Sequence, residues 1–172
     1  MIKSKFREIS TSLGGEYLFS EKISKSLTTT SHSTDYHKLI IPYNDSEIVV
    51  RYEFGNLNIA SVNVTTAFRN SPISFSISKR NHLITLFNKK AKSLKVTSDN
   101  LNTKLRIEDI LLSSGLEKIA TDTTFEPEIK LAENDKKIEV STIFYLGFVE
   151  KENSILPIIN FYKGIIDLIN RN

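Results

Sequence analysis

The sequence predicts one α+β domain: an antiparallel, largely meander sheet of about six to seven strands, with helices packed on one face. Three observations carry this. Apolar and polar residues alternate in several short runs between residues 38 and 148. Both chain ends carry apolar residues at helical spacing. Turn-forming clusters separate the runs, and no linker, repeat or low-complexity tract divides the 172 residues, so residues 1–172 are read as a single domain.

Ile2, Phe6, Ile9 and Leu13 step by four, three and four, one stripe of an N-terminal helix that Gly14-Gly15 would end. Residues 20–34 are polar and rich in Ser and Thr, which predicts a loop or a loosely held edge strand. Leu39-Ile40-Ile41 begins the strand run, and Asn44-Asp45-Ser46 is turn chemistry. Ile48, Val50, Tyr52 and Phe54 alternate with Val49, Arg51 and Glu53. Gly55-Asn56 marks the next turn, before a strand over Leu57 to Phe68. Ile73, Phe75 and Ile77 then face away from Ser74, Ser76 and Ser78, the pattern of a sheet covered on one side.

Leu94 to Thr97 reads as a short strand, and Ser98-Asp99-Asn100 as the cap of a turn or helix. Residues 105–120 read as an internal helical segment broken at Gly115, with Glu108 and Asp109 in its first turn. Ile129-Leu131 and Ile138 to Phe148 form a hairpin, and Ile143 and Tyr145 on the second face predict a buried, central second strand. Ile155, Ile158, Ile159, Tyr162, Ile165, Ile166 and Ile169 predict a four-turn C-terminal helix, with Leu156, Phe161 and Leu168 off the stripe and open to a dimer contact.

The composition bounds the chemistry. Without cysteine there are no disulfides, thiol nucleophiles or thiolate metal sites, which fits a reducing compartment. No leader-like apolar stretch opens the chain and no run is long enough to span a bilayer, so a soluble, cytoplasmic protein is expected. There is no Gly-rich phosphate loop and no G-x-S-x-G elbow. His32, Asp35 and His37 lie close in sequence, but a spacing of five suits one face of neither helix nor strand, so they predict no metal site. Glu126 and Glu128 read as one solvated strand face rather than an acid–base pair. Asn44 and Asn63 match a glycosylation pattern by chance. No catalytic residue, cofactor or metal is predicted.

Charge is uneven. Residues 79–106 carry eight basic side chains against one acidic, and residues 107–172 carry seven against twelve. Lys79, Arg80, Lys89, Lys90, Lys92 and Lys95 are therefore the candidate anion-binding residues, for nucleic acid or an anionic lipid surface. The competing reading makes the stretch a connector. Asn81 would cap a short helix, Leu83, Leu86 and Phe87 would dock on the sheet, and the acidic C-terminal third would neutralise the lysines. Phe87 is the one aromatic there, sparse for a single-strand binder, and 17 Lys and 14 Asn against five Ala mark an AT-rich codon supply that inflates lysine.

From Phe75 onward the order of features resembles uncharacterised bacterial α+β domains. In these a strand like Ser93-Leu94-Lys95-Val96-Thr97-Ser98 leads into a helix, then a hairpin, then a terminal amphipathic helix like Ser154 to Asn170. Lys89-Lys90-Ala91-Lys92 stands where those domains carry an acidic, aromatic stretch. The resemblance implies the α+β fold and carries over no site residue. The expected function is a non-enzymatic interaction or accessory module binding a protein partner or a second copy of itself, with anion binding by residues 79–95 as the alternative.

Overall fold

Alternation of apolar and polar side chains builds the central element, one antiparallel sheet. The computed structural model describes residues 2–25, 31–55, 57–67, 73–80, 92–134 and 137–171. Its strands are β1 (Glu16–Lys25), β2 (Ser31–Tyr43), β3 (Ser46–Phe54), β4 (Ile59–Ala67), β5 (Ser76–Lys79), β6 (Leu94–Thr97), β7 (Glu128–Asn134) and β8 (Lys137–Tyr145). Among the described residues they form one 8-stranded sheet in the order β1-β2-β3-β4-β8-β7-β5-β6. The first four strands are a meander, and the β7–β8 hairpin inserts between β4 and β5.

The strand count exceeds the expected six to seven because residues 20–25 and 31–34 are paired backbone in β1 and β2, the edge-strand alternative for this polar stretch. β1 and β2 are in register from Glu16↔Ile40 to Lys25↔Ser31, and the pairs beyond Asp35 extend past the last β2–β3 partner, Asp35↔Phe54. Main-chain hydrogen bonds suffice there without an apolar pattern.

The helices are α1 (Ile2–Leu13), α2 (Leu101–Ser114), α3 (Leu116–Asp122) and α4 (Ile155–Arg171), the last preceded by a 3-10 turn over Lys151–Ser154. Gly14, at φ +64°, ends α1. The Asn100 side chain accepts from Thr103 N at 3.1 Å and starts α2, and Gly115 at φ +83° ends it. Because α2 begins at Leu101, Glu108 and Asp109 lie in its second half, not its first turn.

One core joins the helices to the inner sheet face. Phe6 and Ile9 of α1, Leu39, Val50, Tyr52, Val62, Val140 and Phe144 of the sheet, and Ile107 of α2 are all buried in it. Around α4 the burial is wider than its isoleucine stripe: Phe161 and Leu168, expected at a dimer contact, sit in the core, while Leu156 is exposed. α4 touches α2 closely at Gly164, where a Cβ would stand 2.7 Å from Ile110 Cγ2. No helix among the described residues is long and apolar enough to cross a membrane.

Candidate functional site

The inner sheet face is spent on the core; the outer face has no helix over it among the described residues. Strand register arranges its side chains in rows. One row runs Ser20, Tyr36, Glu53, Ile59, Tyr145, and the next runs Leu18, Lys38, Arg51, Ser61, Ile143. β8 is central as expected, but Ile143 and Tyr145 are not buried: they are 53% and 72% exposed. The sequence pattern correctly placed them on the second face and wrongly assumed that face to be covered.

Two depressions mark this face. One, of about 530 Å³, is lined by side chains including Leu18, Tyr36, Lys38, Arg51, Glu53 and Ile59. The other, of about 770 Å³, is more polar and is lined by Pro42, Asp45, Glu47, Arg51, Asn63 and Glu139 among others. Arg51 borders both. With its side-chain amide turned to satisfy both neighbours, Asn63 donates to Val62 O at 3.0 Å and accepts from Arg51 Nη1 at 3.2 Å, steadying the guanidinium. Lys38 and Arg51 are direct cross-strand partners, and neither forms an ion pair among the described residues.

The basic stretch lies at the opposite end of the sheet, and acidic side chains from the C-terminal third meet it. Lys79 Nζ donates to Thr123 O at 3.3 Å and stands 3.5 Å from Glu126 Oε1. Lys92 Nζ is 2.7 Å from Glu108 Oε2. Arg80 N donates to Ser93 O at 2.8 Å, while its buried Nε has no hydrogen-bond partner among the described residues. Lys95 projects from β6 into solvent. Lys89 and Lys90, with the expected helix from Asn81 through Phe87, lie outside the described residues. The structure thus gathers Arg80 and Lys92 around Glu117 and leaves Lys95 apart. Glu117 is buried and accepts from Ser93 N and, at 3.2 Å, from Leu94 N. Burial pushes its carboxyl above the ordinary range, while those two N–H groups and the nearby Lys92 and Arg80 pull it back. Exposed Leu101, Leu105 and Leu112 flank Glu108 along α2.

His32 and His37 point to opposite faces of β2 and do not converge. His37 is buried among Phe6, Tyr17, Phe19 and Phe54, with Nδ1 2.8 Å from Tyr17 Oη and Nε2 unpartnered among the described residues. Burial lowers its pKa, partly opposed by Asp35 and reinforced by Lys3. Glu126 is taken by Lys79 and Glu128 by Lys130 at 2.7 Å. Among the described residues no group of three His, Asp or Glu is placed to hold a metal ion.

The sequence did not single out Tyr36, Lys38, Arg51, Ile143 or Tyr145 as candidate site residues. Each sits on an alternating strand, so its face was readable; its neighbours across the sheet were not. No protein-family model, curated protein or solved structure matches the chain.

Proposed function

We propose that the protein is a non-enzymatic interaction module that engages a protein partner through the outer face of its sheet. The observation that supports this most is the exposure of Ile143 and Tyr145 on a strand flanked on both sides by others. Edge position cannot account for it, and Tyr36 lies in the same row as Tyr145 with two strands between them. Exposed tyrosines beside aliphatic side chains and scattered cations are the anchors protein interfaces favour. The cysteine-free composition suits a reducing compartment, and the interaction is assigned to the cytoplasm.

Affinity capture from native cells, with Tyr36→Ser/Ile143→Ser/Tyr145→Ser beside the wild type, tests this. A reproducible partner lost from the folded triple variant supports the reading. A partner retained by the variant, or none with either protein, overturns it.

The second reading, anion binding through Lys79, Arg80, Lys89, Lys90, Lys92 and Lys95, is favoured by solvent-facing Lys95 and by Arg80 Nε, which has no hydrogen-bond partner among the described residues. The pairing of Lys79 with Glu126 and of Lys92 with Glu108 weakens it. Nucleic-acid affinity that survives physiological salt and disappears on Lys89/Lys90/Lys92→Glu would promote it.

A further inference from the structure

We propose that the depression of about 530 Å³ over β1–β4 binds an apolar carboxylate, with Lys38 and Arg51 as its paired receptors. This rests on the reading of the outer face as the working surface and names the chemistry that surface takes. Like charges directly opposite one another on neighbouring strands repel and destabilise a sheet. Lys38 and Arg51 occupy such positions. Glu53, the one acidic side chain lining this depression, lies in the adjacent row and forms no ion pair with either among the described residues. Two cations therefore line one concavity, and neither is in an ion pair among the described residues. A carboxylate placed between them accepts from both and removes the repulsion, a gain that a neutral group cannot produce.

The walls define the rest of the ligand. Leu18, Tyr36 and Ile59 offer apolar surface beside the cations, so the anion must carry an aliphatic or aromatic body to fill the space. Asn63, accepting from Arg51 Nη1, holds the guanidinium and lowers the cost of ordering it on binding. A free apolar acid and an acidic, apolar segment of a partner present this same chemistry.

The probe is 11-(dansylamino)undecanoate, with its methyl ester as the neutral control, titrated against the whole protein by fluorescence. The carboxylate should bind at least about tenfold more tightly than the ester, and Arg51→Gln and Lys38→Gln should each weaken it about tenfold. Lys118→Gln, which removes the exposed charge of Lys118 on α3, should leave affinity unchanged. Each site variant removes one charge of the Lys38/Arg51 cross-strand pair, so thermal unfolding should show it folded and no less stable than wild type. Displacement by decanoate alone identifies a free acid as the source, and displacement by an acetylated Leu-Glu-Phe-Glu peptide identifies a partner segment. Equal binding of acid and ester, equal binding by site variants and wild type, or no binding overturns the proposal. If the probe fails while partner capture still depends on Tyr145, the carboxylate site falls and the interaction reading stands.

Discussion

The phenol of Tyr52 in β3 and the hydroxyl of Ser154, just before α4, meet at 2.9 Å inside the core. Ser154 Oγ is also 2.6 Å from Lys151 O, which can only accept, so the serine proton goes there and Tyr52 is the donor to Ser154. The same logic orders a second pin. Tyr162 of α4 donates to Val62 O at 2.8 Å, so Thr142 Oγ1 donates to Tyr162 at 2.6 Å. These two relays lock α4 to β3, β4 and β8, and with it the sheet whose outer face carries no helix among the described residues.

Tyr52→Phe should cost about 1 kcal/mol and Ser154→Ala about 1–3 kcal/mol, because the alanine strands a buried phenol and frees the Lys151 carbonyl. Urea denaturation checks the order. A Ser154→Ala variant as stable as wild type would contradict the relay.

Gly164→Ala should destabilise despite its better helix propensity. The new Cβ meets Ile110 at Cγ2, a branch fixed directly on Cβ, so relief requires α2 to move. A loss of about 1–3 kcal/mol is expected, and Ile110→Ala in the same chain should recover part of it. Strict additivity of the two substitutions would show that the helices do not meet there.

Glu117 makes stability depend on pH. Its folded pKa is raised from 4.5, so the fold holds the proton more tightly than the unfolded chain. The associated stability is present below 4.5 and lost as pH rises through the raised value. Glu117→Gln should remove this segment of the pH profile. Parallel wild-type and variant curves from urea melts would contradict it.

His37 acts with the opposite sign. Its folded pKa is lowered from 6.5, so the neutral ring is favoured; its stability is full above 6.5 and lost as pH falls toward the lowered value. His37→Phe keeps an aromatic ring among Phe6, Phe19 and Phe54 and should flatten that loss, with half-buried Tyr17 turning its hydroxyl to water. Since the effects of Glu117 and His37 oppose one another, each variant should expose the slope of the other. A His37→Phe profile with the wild-type acid limb would contradict the assignment.

Local pattern carried the elements whose one face is core. The spacing of Ile2, Phe6, Ile9 and Leu13 is α1 with Gly14 at its end, and Leu94 to Thr97 is β6. Pattern failed where the answer depends on what covers a face. Phe161 and Leu168 were expected outside and are buried because α2 and the sheet surround α4. Ile143 and Tyr145 were expected inside and are exposed. Charge asymmetry allowed either a patch or an internal match; the pairs Lys92–Glu108 and Lys79–Glu126 show the match at two of its residues. Lys38 and Arg51 lie 13 residues apart and gave no signal, because only β2–β3 register puts them side by side.

Site-specific photocrosslinking in native cells tests the interaction account most directly. Benzophenone is placed at Tyr145 on the outer sheet face and, as the comparison, at exposed Lys118 on α3. One reproducible protein adduct is expected from position 145, reduced by Tyr36→Ser, and none shared with position 118. Adducts from 118 alone, identical adducts from both positions, or no adduct from 145 would contradict it.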